Sequence, residues 1–193
     1  MKRLLITGFD PFGGSTVNPS WQAVEALPDQ VGDYVLCKLP VPTVFGKAAS
    51  LVLEKAEEFQ PDLILCIGLA SGRSAVTPER IAVNIRDARI PDNEGNQPSG
   101  DRIATDGPAA YFATAPIEKM TQSIRDTGIP ACISNTAGTF VCNDVFYTLL
   151  HHYEKMCTIV DFIHIPNTPE LGEPSLPLEQ IVSALTVAIT ACN

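Results

Sequence analysis

Cysteine and histidine are the residue types of this sequence that could support nucleophilic catalysis. Among the six cysteines, Cys142 follows a tight Ala-Gly-Thr turn at 137–139 and lies in the first turn of a predicted helix. Unpaired N–H groups at a helix start stabilise an anion and can lower a thiol pKa from about 8.5 to between about 3.5 and 7.5. Cys142 is therefore a candidate nucleophile; the alternative is a small buried hydrophobic residue.

A thiol nucleophile needs a general base, and the sequence offers three histidines. His151 and His152 lie about 14 Å beyond Cys142 along the axis of the same predicted helix, so we expect them to face solvent. His164 lies near the carboxyl end of a predicted apolar strand. It is the candidate base, and a hydrogen-bonded core histidine is the alternative.

A Cys/His pair also needs a third group that holds the tautomer and orientation of the imidazole. Glu79 is the candidate, because Pro78 fixes the preceding loop and the apolar strand that follows favours partial burial. Asp87 and Asp92 compete with it for this role.

The composition limits the classes of protein to which the chain can belong. Its 193 residues predict a single domain, 1–193, and the 45% apolar and 18% charged residues are typical of an ordered globular protein. A net charge of −9 disfavours nucleic-acid binding, since it would repel phosphates. The expected partners are small molecules or peptides.

The same sequence predicts a cytoplasmic protein without membrane contact. The longest apolar run, 63–70, is far shorter than the roughly 20 residues of a membrane helix, and the amino-terminal apolar run is too short for a signal peptide. The six cysteines form no Cys-x-x-Cys pair, which favours free thiols in a reducing compartment.

Segments of period 2 alternate along the chain with segments of period 3.6. Strands are predicted over 3–7, 34–39, 63–69, 80–86, 131–135 and 157–165, and helices after the caps Asn18 and Thr43, after Pro116, over 140–153 and over 178–191. A long loop is predicted over 87–105. This order indicates an α/β fold, a three-layer sandwich with a mostly parallel twisted sheet between two helical layers.

This fold predicts where the functional residues meet. Ligands of open α/β sheets bind beyond the carboxyl ends of the strands, so 8–14, Thr43, 72–79, Cys142 and His164 should share one rim. The segment 8–14, GFDPFGG, matches neither the dinucleotide nor the Walker phosphate pattern. Its two phenylalanines favour a flat apolar ligand or simple packing, and a nucleotide is the weaker alternative.

Several blocks in order resemble the pyroglutamyl peptidase I family, also called pyrrolidone carboxyl peptidase. They are GFDPFGG at 8–14, VNPSW at 17–21, VPTVF at 41–45, TPERIAVN at 77–84, DARIPDNEGNQP at 87–98, AGTFVCN at 137–143 and FIHIP at 162–166. The resemblance implies a cysteine peptidase that removes an N-terminal pyroglutamyl residue from peptides, without metal or cofactor. It also suggests a homodimer or homotetramer.

The resemblance assigns roles to individual residues of this chain. The catalytic triad it implies is Cys142, His164 and Glu79, the same residues that the chemistry selects. It places Arg89 near the oxyanion. Around the pyroglutamyl ring it suggests Phe9, Phe12, Thr43, Phe140 and Val141.

The chain departs from the family pattern at three positions. Many bacterial relatives read Gly-Gln-Ala-Gly-Gly-Arg where this chain has Leu69 and Ser71 in the second and fourth places, and Asn167 stands where an apolar or aromatic residue is common. These changes bear on substrate contacts more than on the reaction. They leave one alternative function, an inactive relative that binds N-terminally blocked peptides.

Overall fold

The computed structural model describes residues 1–193. Its strands are β1 (Lys2–Phe9), β2 (Gln30–Val31), β3 (Tyr34–Val41), β4 (Leu63–Leu69), β5 (Thr77–Pro78), β6 (Ile81–Val83), β7 (Arg86–Asp87), β8 (Ser99–Asp101), β9 (Ala110–Phe112) and β10 (Ile159–Ile165). Its helices are α1 (Pro19–Ala26), α2 (Lys47–Phe59), α3 (Ile117–Asp126), α4 (Val141–His152) and α5 (Leu178–Ala191), with a short 3-10 helix over Pro169–Leu171.

The central sheet has six strands in the order β2-β3-β1-β4-β10-β5. The four inner strands are parallel, and the short edge strands β2 and β5 are antiparallel to their neighbours. Helices α1, α3 and α5 pack on one face of the sheet, and α2 and α4 pack on the other. The predicted three-layer α/β sandwich is confirmed. No helix combines the length and hydropathy of a membrane-spanning segment.

Burial on both faces explains the composition of the inner strands. In β4, Leu63, Leu65 and Ile67 face the core shared with α1, α3 and α5, whereas Ile64 and Cys66 face the core shared with α2 and α4. Successive side chains of a strand point to opposite faces, so a strand between two helical layers must be apolar throughout. The continuous apolar run of β4 is the result.

The first helix begins as predicted, but the second does not. Asn18 caps α1 by accepting the N–H of Ser20 at 3.0 Å, with Pro19 at the first helical position. Thr43 caps no helix, because its N–H and its hydroxyl both donate to Asp10 Oδ1, at 2.7 and 2.9 Å. Helix α2 starts at Lys47 instead.

Two predicted strands differ from the observed structure. Residues 131–135 form no strand and make only isolated bridges, Ala131 with Val76 and Ser134 with Glu79. The segment predicted as a strand over 80–86 contributes the short β6, which pairs with β9 in a separate two-stranded sheet. The alternation of apolar and polar residues shows that one side of each segment is buried. It does not show which distant segment pairs with it, and that pairing decides whether a strand forms.

One acidic side chain lies buried in the core without a partner. Asp161, in β10, is 0% exposed, and neither of its carboxyl oxygens has a hydrogen-bond partner. Burial raises the pKa of this carboxyl well above its usual range; the nearby backbone N–H of Phe162 lowers the pKa by less, and the charge of Glu79 raises it. The folded chain therefore binds a proton at Asp161 under conditions in which the unfolded chain has released it.

This difference predicts a stability that declines as pH rises. Between the unfolded pKa, about 3.9, and the raised folded pKa, Asp161 lowers the free energy of unfolding by up to about 1.4 kcal/mol for each unit that the pH rises. Asp161→Asn keeps the neutral shape and removes this contribution. Urea unfolding from pH 5 to pH 8 should show a flatter pH dependence for the variant. An unchanged slope would mean that Asp161 does not retain its proton.

Candidate active site

The first turn of α4 holds Cys142 rigidly at the rim of the sheet. The neighbouring Asn143 is fully buried, accepts the N–H of Val83 at 2.9 Å and donates to the Val83 and Ile85 carbonyls. Asp144 pairs with Arg86 at 2.6 Å. These two side chains fix the helix start, and with it the direction in which the Cys142 side chain points.

The helix start also provides free hydrogen-bond donors. Phe140 precedes α4 and gives no side-chain cap, and the first N–H of the turn with a backbone acceptor is that of Asp144. The N–H groups of Val141, Cys142 and Asn143 have no backbone acceptor, and the N–H of Cys142 acts on its own thiol, whose pKa it lowers. Such groups can stabilise a negative charge that develops beside the sulfur.

A glycine in β4 makes room for the sulfur. A Cβ atom built on Gly68 would lie 3.0 Å from Cys142 Sγ and 2.8 Å from the ring of Phe162. Gly68 is paired with His164 across β4 and β10. The sulfur therefore lies over β4, one strand away from the imidazole-bearing residue of β10.

The imidazole of His164 is held by Glu79. His164 Nδ1 lies 2.7 Å from Glu79 Oε1, and the two side chains are 5% and 0% exposed. A carboxylate can only accept a hydrogen bond, so Nδ1 carries the proton and Nε2 remains free to accept another. His151 instead contacts Tyr111, at 2.9 Å.

Arg73 joins this pair from the loop after β4. Its Nη1 donates to Glu79 Oε1 at 2.7 Å and to the hydroxyl of Thr77 at 2.5 Å, and its Nη2 donates to the carbonyl of Thr136 at 3.1 Å. The Thr77 hydroxyl donates in turn to the backbone carbonyl of His164. Arg73 thus pairs with the buried carboxylate that holds the imidazole.

Burial decides the protonation states of the free site. It raises the pKa of the Cys142 thiol to about 12, with the charge of Glu79 adding to the effect. It also lowers the pKa of His164, although the hydrogen bond to Glu79 acts in the opposite direction. A lowered thiol pKa was expected from the helix start, and the loss of water outweighs that effect. The resting pair is a thiol and a neutral imidazole.

Cys142 opens into a cavity of about 410 Å³ at this rim. Four of the five predicted ring contacts line it, namely Phe9, Phe12, Thr43 and Phe140. None of the residues that line the cavity is charged. A nucleotide phosphate would find no cation there, which argues against the nucleotide alternative.

Aromatic residues from several loops pack together to form one wall of the cavity. Phe140 contacts Phe12 and Phe45, with ring centroids 5.3 and 5.1 Å away. Asp10 joins the loops that follow β1 and β3, since its carboxylate accepts from Thr43 and from the Asn93 side chain. These contacts fix the position of the aromatic wall.

The structure does not bring every predicted residue into the cavity. Val141 is fully buried at the start of α4 and does not line the cavity. Arg89 is exposed and does not line the cavity either, whereas its neighbour Ile90 does. The competing Asp92 accepts hydrogen bonds from the N–H groups of Glu94 and Asn96 in its own loop and from the N–H of Phe45, between β3 and α2.

Sequence reasoning missed three contributors: Arg73, Asp10 and Leu171. Arg73 could have been identified as a partner of Glu79, because it is a cation only six residues earlier in the sequence. For Asp10, the signal was an acidic residue inside an otherwise apolar and glycine-rich loop. Leu171 lies in a turn without periodicity and lines the cavity, and nothing local in the sequence indicated this.

Comparison with characterised families agrees with this geometry. The family model for pyroglutamyl peptidase matches residues 2–193. The pyrrolidone-carboxylate peptidase of Bacillus licheniformis is 49% identical over 194 residues, covering 97% of this chain and 90% of that protein. The protein of the same name from Bacillus thuringiensis is 47% identical, covering 98% and 92%.

Solved structures give the same result. Pyroglutamyl peptidase I from Bacillus amyloliquefaciens superposes with a TM-score of 0.96 at 47% identity, covering 100% of this chain and 97% of that one. The pyrrolidone carboxyl peptidase from Thermococcus litoralis gives 0.95 at 40% identity, covering 100% and 93%. With the fold, the Cys-His-Glu arrangement and the sequence in agreement, the chain belongs to the pyroglutamyl peptidase family.

Proposed function

We propose that this protein is a cysteine peptidase that hydrolyses the amide bond after an N-terminal pyroglutamyl residue, with 1–193 acting as one catalytic domain. Cys142 is the nucleophile, His164 the general base and acid, and Glu79 the group that orients the imidazole. The observation that carries the proposal is the buried 2.7 Å contact between His164 and Glu79 beside a thiol that opens into an uncharged aromatic cavity.

Acylation begins with a neutral pair, because the thiol pKa is raised to about 12 and the pKa of His164 is lowered. His164 Nε2 takes the thiol proton as the sulfur attacks the pyroglutamyl carbonyl carbon and a C–S bond forms. The imidazolium then gives that proton to the departing amine as the C–N bond breaks. The first product is the shortened peptide, and a thioester remains on Cys142.

Deacylation repeats the proton transfers with water. His164 Nε2 takes a proton from water, whose oxygen attacks the thioester carbonyl, and the C–S bond breaks as the proton returns to the sulfur. Pyroglutamate leaves and the thiol is restored. Each proton passes between His164, Cys142, the departing amine and water, and the proposal includes no metal or cofactor.

The oxyanion of each tetrahedral intermediate needs donors close to the sulfur. The free N–H groups at the start of α4 supply them, with the N–H of Cys142 itself the nearest candidate. Arg89 is exposed and does not line the cavity in the free protein, so it has the weaker claim to this role.

The uncharged cavity explains the proposed selectivity. A pyroglutamyl residue has no terminal ammonium, because cyclisation has converted it to a lactam. An N-terminal proline offers a similar ring but carries a positive charge, and an apolar site without a carboxylate disfavours that charge. Prolyl peptides should therefore bind poorly.

The same proposal covers substrates, location and assembly. The substrates are peptides with an N-terminal pyroglutamate, and we infer a cytoplasmic location from six unpaired cysteines, which suit a reducing compartment. We also infer a homodimer or homotetramer, on the family resemblance. The alternative of an inactive, peptide-retaining relative has no support from the site, which keeps a complete Cys-His-Glu set.

The direct test is the release of pyroglutamate from a chromogenic pyroglutamyl amide. Cys142→Ala should lower kcat/KM by at least about 10⁴-fold, because no other group can form the thioester. Cys132→Ala, at an exposed cysteine, is the matched control and should retain full activity. A prolyl amide should not be cleaved. Turnover by Cys142→Ala near the wild-type rate would refute the proposal.

Glu79→Gln tests the orienting carboxylate. We expect kcat to fall by about 10²- to 10⁴-fold, because an amide neither enforces the required tautomer nor stabilises the imidazolium. Asp92→Asn is the control, since it also neutralises a buried carboxylate that accepts several hydrogen bonds, none of them from His164 or Cys142. It should lower the unfolding midpoint while keeping most of kcat. Equal losses of kcat in both variants would reduce Glu79 to a structural role.

The pH profile tests the electrostatics of His164. The base must be neutral, so its lowered pKa should put the acid limb of kcat/KM below pH 6.5, the usual histidine value. The charge of Arg73 contributes to this lowering, so Arg73→Met should move the limb to higher pH. Arg73→Lys keeps the charge and should move it less. An acid limb that stays in place in Arg73→Met would show that the guanidinium does not act on His164.

A further inference from the structure

The position of the general acid defines where the departing amine must lie. His164 lies on β10, and Cys142 Sγ lies over Gly68 of β4. In the sheet order, β1 and β3 are on one side of β4 and β10 is on the other. If His164 protonates the amine, the amine leaves toward β10, and the pyroglutamyl ring lies toward β1 and β3.

The cavity extends in both of these directions. We call the part toward β1 and β3 the ring half and the part toward β10 the β10 half. The ring half is lined by residues at or just after the carboxyl ends of β1 and β3 and by the residue before α4, namely Phe9, Phe12, Thr43 and Phe140. The β10 half is lined from the exits of β4 and β10, by Leu69, Ser71, Asn167 and Leu171. Cys142 also lines the cavity, and its sulfur, over β4, lies between the two halves.

The β10 half is formed by a segment that holds its own shape. The Leu171 N–H donates to the Thr168 carbonyl at 2.9 Å, and the Asn167 side chain donates to the Gly172 carbonyl at 3.2 Å. The Leu176 N–H closes the segment on the Asn167 carbonyl at 2.9 Å. Leu171 therefore presents a fixed apolar surface rather than a loose loop.

Charge is absent from this surface. The four side chains of the β10 half are two leucines, a serine and an amide, and the nearest cation in sequence, Arg73, is already paired with Glu79. Glu170 and Glu173, which flank Leu171, are exposed and do not line the cavity. A charged side chain inside the cavity would lose water and gain no partner among its lining residues, whereas an apolar one would gain contact with Leu69 and Leu171.

We propose that the β10 half binds the side chain of the residue after the pyroglutamyl group and selects an apolar side chain at that position. The inference rests on the proposed function and adds the substrate class to it. Leu171 is the specificity-determining residue, because it lies at the exit of the strand that carries the general acid.

A series of pyroglutamyl dipeptide amides tests the preference, with leucine, alanine, lysine or glutamate in second place. Release of pyroglutamate gives kcat/KM for each. We expect leucine to exceed lysine and glutamate by about 10-fold or more, with alanine between them. Equal values for all four substrates, or a preference for lysine or glutamate, would overturn the inference.

Variants of Leu171 assign the preference to a residue. Leu171→Ser should reduce the leucine-to-alanine ratio, and Leu171→Asp should raise lysine relative to leucine. Leu178→Asp, at a partly buried leucine of α5 away from the cavity, is the control and should leave both ratios unchanged. A ratio of two substrates does not depend on the folded fraction, so partial unfolding cannot mimic the effect. Ratios that do not change in the Leu171 variants would overturn the assignment.

These outcomes are distinct from a failure of the proposed function. If no substrate releases pyroglutamate, the peptidase assignment fails. If all four release it at the same kcat/KM, the peptidase assignment stands and the β10 half plays no part in selection.

Discussion

The hydrogen bond between His164 and Glu79 is the interaction on which the rest of the site depends. It holds the imidazole in one tautomer in a place with almost no access to water, where both side chains are 5% exposed or less. An unpaired carboxylate at that depth would be costly, so Arg73 pairs with it. Burial also raises the pKa of the Cys142 thiol, to about 12.

The sequence predicted the layers of this fold well, because buried parallel strands and amphipathic helices have strong local signals. The predicted bounds of β4 and α5 agree with the structure, as does the Asn18 cap of α1. The failures occurred where a distant contact overrides a local one. Thr43 has the chemistry of a helix cap, but Asp10 takes both of its donors.

The proposed triad could also be selected from the sequence, because its chemistry and the rule on strand ends point to the same rim. The surroundings were not. Burial raises the pKa of Cys142 despite its position at a helix start, and that depends on Phe162 and other side chains packed around the sulfur. Likewise, the exposure of Arg89 and the burial of Val141 follow from how the loop and the helix lie on the core.

The hydrogen bonds of the segment after β10 have a consequence for how related enzymes diverge. Asn167, Leu171 and Leu176 bond only within their own stretch of chain, whereas the aromatic wall is joined through Asp10 and Asn93 to three separate loops. A substitution in the first region therefore breaks no hydrogen bond that holds Cys142 or His164. Proteins of this fold can therefore differ in this wall of the cavity while the rest of the rim keeps its geometry.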